Sequence, residues 1–167
     1  MIIANPKGID VPIKLLQAKF LSELFVGESY ESYARAYINF KDDKKIAEIY
    51  LGDNEYKEIF INDKVDGHSF FVVGNTDYDN QSETDIGIIF CVNVDELITV
   101  DHRGDEDIIQ LVMTILNKQP YGFKPYEIVR KFNDVFAEFD YDEYRDNMQP
   151  KLCFRINCKI NYSNINC

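Results

Sequence analysis

The chain has 167 residues, enough for one domain with a core of its own, and its 46% hydrophobic content with 12 Phe and 11 Tyr excludes a disordered chain. A net charge of −11 repels the phosphate backbone and argues against general nucleic-acid binding. The N-terminus carries no apolar leader and no run approaches the ~18 apolar residues of a membrane span, so folding in a reducing cytoplasm is expected.

In chain order, residues 1–10 read as an extended arm containing Pro6 and Gly8, ahead of a single domain over 11–167. Asp10 is placed to cap a helix and Pro12 suits its first turn. That helix runs to about Phe25, with Ile13, Leu16, Phe20 and Leu24 on one face, and Gly27 ends it. A β-rich half follows. Strands are expected over Tyr33–Phe40, Ile46–Leu51, Glu58–Ile61 and His68–Val73. The hairpin turn Lys41–Lys44 and the Gly52-Asp53-Asn54 turn lie among them. Residues 75–85 carry four acidic side chains and read as an exposed loop. Ile86–Val94 is apolar on both faces, the pattern of a central buried strand.

The chain then turns helical. Asp105, Glu106 and Asp107 precede a helix over Ile108–Lys118, where acidic residues complement the dipole. After Pro120, Gly122 and Pro125, a second helix is expected over Tyr126–Phe139, with Ile128, Phe132, Val135, Phe136 and Phe139 on one face. An acidic linker spans 140–150. From Lys151 to Tyr162 apolar and polar residues alternate. Leu152, Phe154, Ile156, Cys158, Ile160 and Tyr162 face a core, and Arg155, Asn157, Lys159 and Asn161 face water or a partner. At ~3.3 Å per residue this strand extends about 40 Å. The fold class is therefore α+β: an N-terminal helix, an antiparallel or mixed sheet, two helices packed on one face, and a long C-terminal strand.

Signatures of chemistry are sparse. The cysteines, Cys91, Cys153, Cys158 and Cys167, form no C-x-x-C pattern, which disfavours zinc, and Cys91 and Cys158 read as small core residues. A thiol–imidazole pair of Cys91 with His102 is conceivable but disfavoured by burial of the thiol. The sequence from Asp77 opens like a calcium loop, then places Ser82 where glycine is needed and Ile88 where glutamate is needed. Asp43, Glu55 and Lys57 form an Asp…Glu-x-Lys pattern of the kind metal-dependent nucleases use, in a chain with 29 acidic residues where such spacing arises by chance. No metal or cofactor is expected. The basic strip Arg155, Asn157 and Lys159 contrasts with the acidic remainder. It could meet an acidic strip of a neighbouring copy, either Asp105, Glu106 and Asp107 or the stretch 140–146, in a head-to-tail contact.

Three stretches, Glu55–Phe71, Ile86–Leu97 and Asp146–Tyr162, carry a resemblance to the neck and tail ring proteins of crAss-like bacteriophages. With the opening helix it covers most of residues 10–162. The resemblance implies a non-enzymatic virion protein at the head-to-tail junction, similar in fold to tail-terminator or tail-completion proteins, and brings no active-site residues. It implies a six-fold or twelve-fold ring of identical subunits, stacked on portal, ring or tail proteins and assembled in the bacterial cytoplasm. DNA would pass through without specific binding, and an acidic wall repels phosphate within a Debye length of ~8 Å. A metal-dependent nuclease using Asp43, Glu55 and Lys57 and a monomeric accessory binding protein are the rival readings.

Overall fold

The long C-terminal strand lies beside the most apolar strand of the chain, and these two organise the molecule. The computed structural model describes residues 5–25, 29–61, 64–77, 83–118, 120–141 and 151–161. Helix α1 (Asp10–Glu23) leads into strands β1 (Tyr30–Lys41), β2 (Lys44–Gly52), β3 (Glu55–Glu58), β4 (Gly67–Asp77) and β5 (Glu83–Asn93). Helices α2 (Val94–Leu97) and α3 (Asp105–Leu116) follow, then β6 (Phe123–Val129), α4 (Phe132–Val135) and β7 (Lys151–Asn161). The seven strands form one sheet in the order β3-β2-β1-β4-β5-β7-β6. Only β1 and β4 run parallel; all other neighbours are antiparallel. The architecture is α+β.

The alternation in β7 sorts its side chains as expected. Phe154, Ile156, Cys158 and Ile160 enter a core under α1 and α3, together with Ile86, Ile88, Phe90 and Val92 of β5. Ile13, Leu16 and Phe20 of α1, and Ile108, Ile109, Val112, Ile115 and Leu116 of α3, close that core. On the opposite face Ile89, Cys91, Phe70, Val72 and Cys153 meet Val135, Phe136, Phe139 and Tyr141 in a second core. The double-sided apolarity of β5 thus has a direct cause: it lies between two cores.

Both turns expected in the β-rich half close hairpins. Asp42 and Asp43, with φ of 51° and 62°, and Asp53 and Asn54, with φ of 51° and 63°, adopt the left-handed pairs that match strand twist. The strand after the second turn is Glu55–Glu58, not Glu58–Ile61, because it pairs directly back onto β2. The expected loop over 75–85 is mostly ladder: Thr76 pairs with Thr84 and Asp77 with Glu83, and the residues between lie outside the described ones. At α1, Ile9 occupies the cap position and Asp10 the first turn, where its carboxylate lies 3.4 Å from Arg35. Burial pushes the Asp10 carboxyl above its usual range, against the pull of Arg35.

The expected helix over 126–139 is a correction. Residues 123–129 form edge strand β6 against β7, with Phe123 opposite Ile160 and Ile128 opposite Ile156. Pro125, which has no N–H to donate, lies at the register shift of this edge strand. The apparent helical face joined two halves with different destinations. Ile128 packs on the first core, whereas Val135, Phe136 and Phe139 pack on the second. Only the short α4 is helical, so the later helices do not share one face of the sheet. Gly27, the linker 142–150 and Tyr162 lie outside the described residues.

Candidate subunit interface

The polar face of β7 forms from the odd positions of the strand. Arg155 is largely enclosed: both its ion-pair contacts run from Nη1 to the Glu138 carboxylate, at 2.8 and 2.6 Å, and its Nε donates to Asn157 Oδ1 at 2.7 Å. Its guanidinium lies over Gly87, where a Cβ would meet Nε at 2.4 Å, so a side chain on β5 at that point would displace the guanidinium. Asn157 donates to Glu127 at 2.7 Å and Lys159 pairs with Glu83 at 2.7 Å. Tyr126 of β6 donates to Asp85 of β5 at 3.3 Å across the intervening β7. This face is a mixed-charge network spanning β5, β7, β6 and the segment after α4.

The acidic strip at the start of α3 lies elsewhere and is also paired within the chain. Asp105 meets Arg103 at 2.8 Å, Glu106 meets Arg130 at 3.0 Å, and Asp107 meets His102 Nε2 at 2.7 Å. The Asp107 hydrogen bond, joined by Asp101, raises the His102 pKa above its ordinary value. His102, Arg103, Asp105, Asp95 and Lys151 line an open cleft of about 540 Å³ beside the α2–α3 connection. The two strips proposed to meet between copies therefore both have partners inside one copy. Any contact through them exchanges existing ion pairs, at little cost for the exposed pairs but not for the enclosed Arg155–Glu138 pair.

A stronger interface feature was not singled out in the sequence. The outer ends of β1, β2 and β3 expose Tyr37, Ile38, Phe40, Tyr50 and Tyr56. Phe40 is 67% exposed and Tyr56 53%. Tyr56 packs against Tyr37 and Tyr50 at ring-centroid distances of 6.0 and 5.3 Å. Tyr37, Tyr50 and Tyr56 share one face of the arm and Ile38 and Phe40 the other, and exposed aromatic surface of this kind marks contact sites in soluble proteins. Aromatic alternation in residues 37–56 was the available signal; it read as strand content only. The arm also supplies one edge of the sheet, β3, while β6 supplies the other.

The structure does not bring Asp43, Glu55 and Lys57 together. Asp43 lies in the turn before β2 and Glu55 follows the turn after it, so the length of Lys44–Gly52 separates them, roughly 25–30 Å of extended chain. Lys57 sits over the Tyr33 ring at 5.4 Å. Among the described residues no group of three or more His, Cys, Asp or Glu side chains is arranged to hold a metal ion. In the calcium-like loop residues 78–82 lie outside the described residues, and 83–88 belong to strand β5. Cys91 does not pair with His102 either. It faces His68 of β4 on one side and Cys153 of β7 on the other, with a Cys153–Cys91 sulfur separation of 2.8 Å.

Among the described helices none is long and apolar enough to cross a membrane. Comparison with protein-family models, with curated proteins and with solved structures finds no match to this chain.

Proposed function

We propose that this chain is a structural ring subunit of a bacteriophage neck or tail, surrounding the DNA channel and acting without enzymatic chemistry. The observation that carries the reading is the aromatic arm at one edge of a sheet whose other edge is also open. Two different sticky surfaces on one subunit favour head-to-tail contacts, which close into rings when the rotation permits. The resemblance of the stretches 55–71, 86–97 and 146–162 to ring proteins of crAss-like phages points the same way. Neighbouring copies would bury the exposed tyrosines and Phe40. Portal, ring or tail proteins would contact the ring above and below. The chain's acidic balance suits a lumen that DNA must traverse without adhering.

Electron microscopy of the purified protein, alone and mixed with a candidate portal protein, tests the proposal. Closed rings of identical subunits in either sample support it. Dispersed monomers in both would refute it in favour of an accessory binding protein.

A further inference from the structure

The second core contains a row of three chemically reactive side chains that the ring reading does not use. In the β4–β5–β7 part of the sheet, His68 is directly opposite Cys91, and Cys91 is directly opposite Cys153. Directly opposed residues of antiparallel strands project to the same face, so all three side chains lie together. His68 is 2% exposed, Cys91 2% and Cys153 8%. The sulfur atoms are 2.8 Å apart, well inside the separation of two thiols in simple van der Waals contact. Opposed Cα atoms stand ~4.5–5.5 Å apart in such a ladder. A disulfide accepts Cα separations of ~4.4–6.8 Å. The backbone is therefore already set for a covalent link.

We propose that Cys91 and Cys153 form a cross-strand disulfide when the protein meets a small hydroperoxide, locking β5 to β7. With Cys91 and Cys153 2% and 8% exposed, the oxidant has to be as small as hydrogen peroxide. In the first step the Cys91 sulfur, as thiolate, attacks one peroxide oxygen. The O–O bond breaks, the departing hydroxide takes up the proton that Cys91 released on ionising and leaves as water, and Cys91 becomes a sulfenic acid. In the second step the Cys153 sulfur attacks the Cys91 sulfur, the S–O bond breaks, and a second water leaves. Two thiols and one peroxide give one disulfide and two waters; each sulfur loses one electron and the peroxide gains two.

The surroundings favour this order of events. Burial pushes the Cys91 thiol up, but the hydrogen bond from Cys153 and the facing His68 outweigh it and bring Cys91 below its ordinary value. Cys153, buried and donating to Cys91, is held well above it. One sulfur is thus the nucleophile and the other the proton-bearing resolving partner, the arrangement that sulfenic-acid chemistry requires. His68 Nε2, beside Cys91 in this row, is buried without a hydrogen-bond partner. Cys158 provides the contrast: it faces the other core, and burial alone pushes it up to about 12. The link itself is independent of the ring reading; its consequence for a virion, assembled under reducing conditions and locked outside the host, rests on that reading.

The test treats the full-length reduced protein with hydrogen peroxide, alkylates residual thiols in denaturant, and maps peptides without reduction. Wild type and Cys158→Ala are expected to show one link, joining the peptides of Cys91 and Cys153, and a higher thermal midpoint that returns on reduction. Cys153→Ala is expected to lose the link. Recovery of both thiols in alkylated form from folded protein after peroxide treatment would overturn the proposal. So would a sulfinic acid on Cys91 with Cys153 free, or a link involving Cys158.

Discussion

Phe154→Ala probes the junction of the C-terminal strand with the rest of the molecule. Phe154 is fully buried and stacks on Phe90 of β5, directly opposite in the ladder, with centroids 4.8 Å apart and planes 8° from parallel. Phe20 of α1 meets the edge of Phe90 at 5.3 Å, so this aromatic trio joins helix, central strand and terminal strand. Truncation removes on the order of 100 Å² of buried apolar surface, about 2.5 kcal/mol at ~25 cal/mol/Å². The unfilled cavity and the lost stacking bring the expected cost to roughly 3–5 kcal/mol. That is a large part of the ~5–15 kcal/mol stability of a typical domain. Urea unfolding followed by circular dichroism, at protein concentrations low enough to exclude assembly, reads the loss directly. Phe90→Ala and the double variant complete a cycle in which the double loss falls short of additivity by about 1 kcal/mol. A single-variant cost below ~1.5 kcal/mol would show that the core under α1 and α3 does not depend on the β5–β7 aromatic contact, contrary to the buried stacking geometry.

Other consequences are more local. Gly87→Ala is expected to displace the Arg155 guanidinium from Glu138 and cost about 1–3 kcal/mol, since hydrogen bonds to charged groups contribute on that scale; full stability in urea would show that the arginine moves freely. His102 is expected to titrate above its ordinary value by NMR and to return toward it in Asp107→Asn. Because its folded value is raised, its contribution to stability is complete below the unfolded value of ~6.5 and is lost as pH rises through the folded value. The Cys91–Cys153 link closes a 62-residue separation, about 4 kcal/mol in the chain-entropy picture and ~8–16 °C in thermal midpoint, read by calorimetry with and without reductant.

Much of the fold was legible because local pattern and tertiary destination coincide. The period-two alternation of residues 151–161 and the unbroken apolarity of 86–92 report one-sided and two-sided burial, and those strands pair over their full length. Residues 123–139 misled for the opposite reason. From Tyr126 to Phe139 apolar side chains fall at helical spacing, but Ile128 serves one core and Phe132, Val135, Phe136 and Phe139 the other. A periodicity cannot show that the chain crosses from one face of a sheet to the other. The polar residues of β7 were legible as a face, yet their partners Glu138, Glu127 and Glu83 come from three different segments. The Cys91–Cys153 row was hidden for the same reason: register between strands 62 positions apart is set by the whole sheet. Exposure of the β1–β3 arm depends on where the cores end, which no local pattern encodes.

The most direct test of the ring assignment is the mass of the purified protein by light scattering, measured alone and with a candidate portal or neighbouring ring protein. The account predicts a discrete species of six or twelve 19.5 kDa chains in at least one sample, lost when Phe40 and Tyr56 of the arm are replaced by lysine. A single 19.5 kDa species in both samples would contradict it.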